Sequence, residues 1–451
     1  MTQETAEGSR SQAWMWSLLC VMCIPLFPQY IAPFLSMAAL LFARRDARIG
    51  RRRVRVGAAG TVRVAYLCFM TVHMLWATER QLGLVFLAVW MTVFMAYLAL
   101  TTVLVTRQRL ETAQFALAVV VGLLGLLAVV QYVLVGFCGI TQMPLQLWDV
   151  VDETVYGLTG LPVNLHSLGV RPAATFPNPN MLAQFLLLAV PFVAAYGFSG
   201  KRSAAKILSR LSLLFAVGGI FVSFSRGAYL ALGAIAVVMC IANIRRLVPI
   251  LMVGFSVLML LPDSIYLRLS TIGDATDLAI NERFEVWGVT MQAVLERPFF
   301  GHGIGIGTIW PRLHECGFSA PHAHNLFLEF FVEGGLFGLI LLLFLLWKLF
   351  RTGFELIIHA PKTRMYGAAV IAFVGGLCVC GMVDQPLFAP GVLAMFMVAV
   401  AFADAFSFVE MKRTPLTFGR ALPFSDYVIP RLEAWVKRKT APKEEQKDNE
   451  E

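Results

Sequence analysis

Long apolar runs recur along the whole chain and restrict the folds that it can adopt. A helix needs about 20 predominantly apolar residues to cross the hydrocarbon core of a bilayer, and most of the runs approach that length. The chain is 58% hydrophobic and only 14% charged, which lies outside the range of soluble domains. The sequence therefore predicts an all-α, polytopic membrane protein. The runs cover residues 12–43, 56–76, 82–106, 112–135, 180–198, 207–222, 227–242, 248–262, 325–347, 366–383 and 391–409.

The first run is too long for one membrane helix and contains three prolines. Pro25, Pro28 and Pro33 stand in its middle, where a proline removes a backbone donor and clashes with the preceding turn. We therefore divide this run into two short spans, which gives about twelve transmembrane helices in all.

Lysine and arginine cluster in one set of connections, and this predicts the orientation. The positive-inside bias assigns the clusters at 44–55, 107–109, 201–206, 245–246 and 348–364 and the tail from Lys412 to the cytoplasm. An even number of spans separates successive clusters, so both termini are predicted to be cytoplasmic. The net charge of +9 mostly reflects this topology, and its spread over several loops argues against a nucleic-acid partner.

The same topology predicts the domain organisation. We expect a short cytoplasmic N-terminus (1–11), a transmembrane domain (12–409) and a cytoplasmic C-terminal tail (410–451). Two long connections, 136–179 and 263–324, then face the outside, and the second is expected to pack over the outer face of the bundle. Each contains one cysteine, Cys138 and Cys316, which could form a disulfide in an oxidising compartment.

The second outer connection contains arginines but no lysine. Positive charge is disfavoured on this side of a membrane, so the retention of Arg268, Arg283, Arg297 and Arg312 suggests a function. Local salt bridges within a folded loop are the alternative explanation for any one of them.

Three predicted spans run inward and start with residues suited to helix capping. Asn178 precedes Pro179 at one start, Ser225 precedes Arg226 at the second, and His324 and Asn325 precede the third. If the three helix N-termini are neighbours, they form an anion site, which Arg171, Arg226 and a histidine would reinforce. Plain capping by the asparagines and snorkelling of Arg226 to the lipid headgroups are the alternatives.

Two histidines and two carboxylates stand at the third of these starts. Glu329 and Glu333 are one helical turn apart and should face the bundle interior, where they either hold the site residues in place or pair with other buried donors. A metal site at His322 and His324, completed by His314 and Glu315, would lack any standard zinc spacing. The glycine-rich "GHGIGIG" (301–307) lacks the Gly-Lys-Ser/Thr ending of a phosphate-binding loop and is interpreted as a flexible turn.

Several of these segments together resemble a known family. His324 and Asn325, followed by nine residues and then by Gly335 and Gly338, are similar to the His-Asn/Ser/Gln-x9-Gly-x-x-Gly signature of bacterial O-antigen ligases. The segments "RPAATFPNPNMLAQ", "SFSRGAYLAL" and "RFEVWGVTMQAVLERPFFGHGIG" resemble other landmarks of the superfamily of O-antigen ligases and polymerases. The resemblance runs in order from Arg171 to Gly338, and the first 130 residues match only in hydropathy.

The resemblance implies a GT-C-like glycosyltransferase of the bacterial inner membrane with its active site facing the periplasm. Its donor would be a glycan linked to undecaprenyl diphosphate and its acceptor lipid A-core, with neither metal nor other cofactor. His324 matches the general base, and histidine suits proton transfer near neutral pH. Arg171 and one outer-loop arginine would bind the diphosphate, with Arg283 the first choice, Arg226 the next and Arg268 a weaker candidate. Supporting residues would be Asn178, Asn180, His322, Asn325, Glu329, Glu333, Gly335 and Gly338.

We therefore expect an inverting, metal-independent O-antigen ligase that acts in lipopolysaccharide biosynthesis at the cell envelope. A polymerase of the same superfamily is the first alternative, because it could share every feature except the exact histidine motif. A solute transporter is the alternative from another class, and it would predict inverted repeats and helices broken near the middle of the membrane.

Overall fold

The structure is a computed structural model and describes residues 3–50, 52–139, 171–200, 202–242, 278–359 and 363–418. The predicted span 248–262, Arg268, most of the connection 136–179 and the tail beyond residue 418 lie outside the described residues. The described chain is mostly helical. Its helices are α1 (Gln3–Cys23), α2 (Ala32–Ile49), α3 (Ala58–His73), α4 (Arg80–Val103), α5 (Arg107–Tyr132), α6 (Pro179–Phe198), α7 (Ala204–Val222), α8 (Arg226–Ala242), α9 (Leu278–Glu296), α10 (Trp310–Glu315), α11 (Leu326–His359), α12 (Arg364–Gly381) and α13 (Pro390–Glu410).

The predicted division of the first apolar run is confirmed. Helix α1 ends at Cys23, two short 3-10 turns follow at Ile24–Leu26 and Gln29–Ile31, and α2 begins at Ala32. Pro25 lies in the first turn, and Pro28 precedes the second. The prolines therefore separate two helices, as their missing backbone donors predict.

Seven helices of the described residues are long and apolar enough to cross a membrane, namely α4, α5, α6, α7, α11, α12 and α13. Helix α8 and the apolar part of α1 are shorter, and α3 has 16 residues. The structure is consistent with an all-α membrane protein, while the total of about twelve spans stays a prediction.

Helices α6 and α13 form the centre of the bundle. Nearly every residue of both helices is buried, and their large side chains pack on neighbouring helices, as Phe192 does on Phe373 and Phe402. Helices α2, α4, α5, α7 and α11 surround them and expose apolar side chains outward, whereas α12 packs on α6, α8 and α11 and exposes no apolar side chain. This distribution is the one expected for a bundle whose solvent is lipid.

Three of the predicted cytoplasmic segments, 44–55, 107–109 and the start of the tail from Lys412, come together at one end of the bundle. Strand β1 (Val54–Val56) pairs antiparallel with β2 (Leu416–Phe418). The buried carboxylate of Asp46 nearby forms salt bridges with Arg52 and with Nη1 of Arg109, the latter at 3.0 Å. Residues of two predicted basic clusters thus share one ion-pair network.

Helix α11 is broken at Gly335. This residue has φ 62° and ψ −161°, and a Cβ atom there would lie 2.3 Å from the backbone of Phe299. The amide of Leu336, which follows the break, donates to the carbonyl oxygen of Pro298 at 2.8 Å. Only glycine combines this backbone conformation with so close an approach of a second chain segment.

Candidate active site

A small polar cavity lies at the end of the bundle opposite the β1–β2 pair. It is formed where α6 and α11 begin and where the segment 382–389 connects α12 to α13. Its volume is about 50 Å³. The residues that line it are Asn178, Asn180, Met181, Gln184, Pro321, His322, His324, Asp384, Gln385, Phe388 and Ala389.

His324 and Asp384 form the central polar contact of this cavity. Nδ1 of His324 lies 3.1 Å from Oδ1 of Asp384. The same carboxylate oxygen accepts a hydrogen bond from the amide of Gln385 at 2.9 Å, and Oδ2 accepts one from Nε2 of Gln184 at 2.8 Å. Asp384 is therefore held by donors from three parts of the chain.

The electrostatic environment keeps Asp384 ionised. Burial opposes the charge of its carboxyl group, but the hydrogen bond and charge of His324, with smaller contributions from His322 and Arg283, outweigh that effect and hold its pKa below the usual range. An ionised carboxylate only accepts hydrogen bonds, so Nδ1 of His324 carries the proton. The lone pair of Nε2 is then available to take a proton from a substrate.

The backbone at His324 has an uncommon conformation that neighbouring groups stabilise. Its φ angle is +49°, in the left-handed region. The amide of His324 donates to Nδ1 of His322 at 3.2 Å, and the amide of Ala323 donates to Oε2 of Glu329 at 2.7 Å. Strain of this kind is kept where surrounding contacts fix a functional side chain.

His322 supports the site as a neutral side chain. Burial lowers the pKa of its imidazole to about 3, and the proximity of His324 adds to this effect. Its ring packs edge-on against that of His324, with centroids 4.3 Å apart, and also contacts Phe388. A neutral His322 can accept the backbone hydrogen bond that orients His324.

The predicted asparagine caps are confirmed. Oδ1 of Asn178 accepts from the amide of Asn180 at 2.8 Å, with Pro179 at the first position of α6. Oδ1 of Asn325 accepts from the amides of Phe327 and Leu328, both at 3.0 Å. These side chains bind one amide at the start of α6 and two at the start of α11, and the anion site expected at these helix ends stays a prediction.

Arg171 joins two helix ends beside the cavity. Its Nε donates to the carbonyl oxygen of Ser223 at 2.9 Å, and its Nη2 donates to Oδ1 of Asn180 at 2.8 Å. Because Asn180 lines the cavity, Arg171 brings its charge to the edge of the site and fixes the start of α6. Arg226, the half-buried first residue of α8, is not among the described residues that line the cavity.

The other outer-loop arginines differ in their surroundings. Arg283 is half-buried on α9, and its charge acts on both Asp384 and His322. Arg312 instead forms a salt bridge with Glu296 at 2.8 Å, and Nη1 of Arg297 donates to the carbonyl oxygen of Trp76 at 3.2 Å. Arg312 therefore forms the local salt bridge that was the alternative explanation for these arginines. Of Arg283, Arg297 and Arg312, only Arg283 has a charge that acts on the described residues lining the cavity.

The two buried glutamates hold loops in place. Glu329 binds the amide of Ala323, as described above, and Oε1 of Glu333 accepts from the amide of Gly305 at 2.7 Å. The glycine-rich segment 301–307 is a turn, as predicted, but it is buried and hydrogen-bonded to α11 rather than flexible at the surface. A Cβ atom at Gly338, about one turn beyond the break, would lie 3.0 Å from the carbonyl oxygen of Phe330.

The structure also revises the metal-ligand alternative. Potential ligand atoms of His322, His324 and Asp384 lie within 4.8 Å of one another, and this is the group of three found among the described residues. His314 and Glu315 do not belong to it. Nδ1 of each histidine and Oδ1 of Asp384 already take part in hydrogen bonds within the site. Cys138 and Cys316 are both free thiols and exposed, so the disulfide considered from the sequence is not formed.

Sequence reasoning missed Asp384 and Gln184. Asp384 follows the apolar run 366–383 at its predicted outer end, and an isolated carboxylate there was the available signal. Gln184 had no such signal, because one amide inside an apolar run does not indicate what it contacts.

The middle of the chain is similar to a known protein family. Residues 211–343 match the family model described as O-antigen ligase. This segment contains Arg226, Arg283, His324 and Gly338, and the resemblance drawn from the sequence is confirmed for it. Arg171 and Asp384 lie outside the matched residues. No curated protein matches the chain.

Proposed function

We propose that this protein belongs to the superfamily of O-antigen ligases and polymerases and that it is an O-antigen ligase. It transfers a glycan from undecaprenyl diphosphate to a lipid A-core acceptor at the periplasmic face of the inner membrane. The family match supports a reaction on lipid-linked glycans, and the seven membrane-spanning candidates support a multi-pass membrane location.

The observation that carries the proposal is the pair formed by His324 and Asp384 beside a cavity. A hydroxyl acceptor needs a base within hydrogen-bond reach, and a leaving diphosphate needs fixed positive charge. The geometry supplies a histidine whose Nδ1 is bound to an ionised carboxylate, with Arg283 near enough to affect that carboxylate.

The transfer step uses these groups in sequence. Nε2 of His324 takes the proton of the acceptor hydroxyl while the oxygen attacks the anomeric carbon of the donor sugar. The bond between that carbon and the diphosphate oxygen breaks, and its electron pair leaves with undecaprenyl diphosphate. Attack opposite the leaving group inverts the anomeric configuration. Asp384 stabilises the imidazolium that forms and keeps the ring in the productive tautomer.

Arginine charge stabilises the leaving group. Arg283 binds the diphosphate directly, since its guanidinium forms no salt bridge or hydrogen bond with another described residue. Arg171 adds charge beside Asn180, whose side chain it binds. Because this charge is built into the protein, the proposed reaction needs neither a metal ion nor a nucleotide.

A solute transporter remains the alternative from another class, and the broken helix α11 is the feature that it would share. In transporters the unwound backbone faces a substrate cavity. At Gly335 the freed backbone instead binds residues 298–303 through amide–carbonyl hydrogen bonds, such as that from Gly303 to Glu333 at 2.9 Å. This filled break favours the transferase.

The experiment that tests the proposal compares lipid-linked glycans in a strain that lacks the protein. A ligase defect removes long glycan from lipid A-core and leaves long chains on undecaprenyl diphosphate. A polymerase defect instead leaves single repeat units. Unchanged glycans on both lipids would contradict either transferase and favour transport of another solute.

A further inference from the structure

Helix α9 has three distinct faces along its length. At about 100° per residue, Phe284, Met291 and Leu295 fall within roughly 40° of one another. A second stripe is polar and exposed, and it contains Asn281, Glu285, Gln292 and Glu296. A third stripe is buried against α10 and α11, and it contains Val286, Thr290, Ala293 and Val294.

The first of these faces is apolar but exposed. Phe284 is 60% exposed, Met291 42% and Leu295 71%. A helix in a water-facing loop needs only one apolar face, the one packed on the protein. The exposed apolar face is therefore additional to the packed one. We name this exposed face, formed by Phe284, Met291 and Leu295, the outer stripe.

The outer stripe leads into the lipid-facing surface of the bundle. Phe299 and Phe300, which follow α9, are also about half exposed, and the ring of Phe300 stacks on Phe337 with centroids 5.2 Å apart. Phe337 belongs to the exposed side of α11, a candidate membrane span. Residues further along that side are also exposed, namely Ile340, Leu343, Phe344 and Trp347.

The side chains at this junction are those that favour a membrane boundary. Trp76 contacts Phe300 edge-on, with ring centroids 5.9 Å apart, and its carbonyl oxygen binds the exposed Arg297. An apolar groove of about 490 Å³ opens here, lined by Trp76 and residues 297–301. Tryptophan and arginine together are typical of the level where hydrocarbon meets headgroups.

We propose that α9 is an interfacial helix whose outer stripe contacts the acyl chains in the periplasmic leaflet of the inner membrane. The polar stripe then faces water, and the buried stripe packs on α10 and α11. Contact with lipid removes three large apolar side chains from water, which favours this orientation of the helix.

This attachment positions Arg283. Its side chain lies on the buried side of α9, roughly 100° from the centre of the outer stripe, and its charge acts on Asp384. The helix is fixed at one end by the hydrogen bond between Leu336 and Pro298. Lipid contact along the outer stripe fixes the rotation of the remainder of α9 about its helix axis. The membrane surface therefore helps to orient Arg283 toward the cavity.

The test is a comparison of single-cysteine labels on two faces of the same helix. In a background with the native cysteines replaced by serine, cysteines at positions 284, 291 and 295 are compared with those at 285, 292 and 296. Each is labelled with an environment-sensitive fluorophore in protein reconstituted into phosphatidylcholine and phosphatidylglycerol vesicles. We expect nitroxide-labelled lipid to quench the fluorescence at positions 284, 291 and 295 at least about threefold more than at 285, 292 and 296. Aqueous iodide should instead quench the labels at 285, 292 and 296 more strongly.

A second measurement separates attachment from folding. With the label at position 295, Met291→Lys should lower quenching by lipid nitroxide, whereas the neighbouring Gln292→Lys should leave it unchanged. Both variants are compared at equal recovery from size-exclusion chromatography. Equal iodide access at all six positions, or equal effects of the two lysines, would overturn the proposal, and neither result depends on glycan transfer.

Discussion

Asp384 stands sixty residues after His324 in the chain, yet its Oδ1 lies 3.1 Å from Nδ1 of that histidine. The contact joins the segment before α11 to the connection between α12 and α13. It assigns complementary roles to the two side chains, because the carboxylate accepts the Nδ1 proton and leaves Nε2 as the basic atom. The first two predictions follow from this division.

Removal of the base should stop transfer without unfolding the protein. His324→Ala is expected to lower turnover about 100-fold or more, the contribution usual for a positioned general base. His322→Ala should have a milder effect, because it removes a hydrogen bond to the backbone of His324 and not the base. The measurement is glycan transfer with purified donor and acceptor, normalised to protein recovered from membranes. Full activity in both variants would exclude His324 as the base.

Asp384→Asn should retain the shape of the site but lose its charge. An asparagine can present its NH2 group to Nδ1 and favour the unproductive tautomer, so turnover should fall about 100-fold. The imidazolium also loses its stabilising carboxylate, so the acid limb of the pH–rate profile should move to lower pH. A purely structural role of Asp384 would lower activity with an unmoved profile, and that outcome would count against the proposed pair.

Arginine substitutions test the diphosphate site. Arg171→Ala and Arg283→Ala should each impair transfer severely, and lysine at either position should restore it only in part. Lysine at position 171 cannot reproduce the fork that binds both Ser223 and Asn180. Arg312→Ala is the matched control, because Arg312 pairs locally with Glu296. Wild-type turnover in both the Arg171 and the Arg283 alanine variants would mean that other arginines bind the diphosphate.

Transfer should persist in excess EDTA and without ATP. The proposed mechanism stabilises the leaving diphosphate with arginine, so chelation removes nothing that the reaction needs. A metal-dependent enzyme would lose the ion that neutralises its diphosphate. If chelation abolished transfer and added zinc or magnesium restored it, His322, His324 and Asp384 would be metal ligands, and the general-base assignment would be wrong.

Acid should destabilise the protein through His322. Its pKa of about 3 in the folded protein lies below the value near 6.5 of an unfolded chain, so the unfolded state binds the extra proton first. Stability contributed by this group is therefore present above pH about 6.5 and is lost as the pH falls toward 3, reaching a loss of about 2 kcal/mol at pH 5. The melting temperature should fall less between pH 7 and 5 in His322→Asn than in the wild type. If the melting temperature fell equally in the variant and the wild type, groups other than His322 would cause the acid sensitivity.

Local chemistry made some features predictable from the sequence alone. Pro25 and Pro28 mark the break between α1 and α2, and Asn178 and Asn325 cap their helices, because each effect acts within a few residues. The contact of His324 with Asp384 was not predictable, since an isolated carboxylate at the end of a span does not indicate its partner. The break at Gly335 was also missed, because its cause is the approach of Phe299 from another segment.

Helix α13 follows all the other described helices in the chain, yet it is among the most deeply buried. During synthesis, the earlier helices enter the bilayer before the element that fills their centre. The groove that α13 will occupy must meanwhile stay open or hold lipid. Asp384 precedes α13 by only a few residues, so the insertion of α13 anchors the connection that places Asp384 beside His324. In the proposed mechanism, a ribosome-bound chain lacking α13 would therefore carry its base without a fixed carboxylate partner.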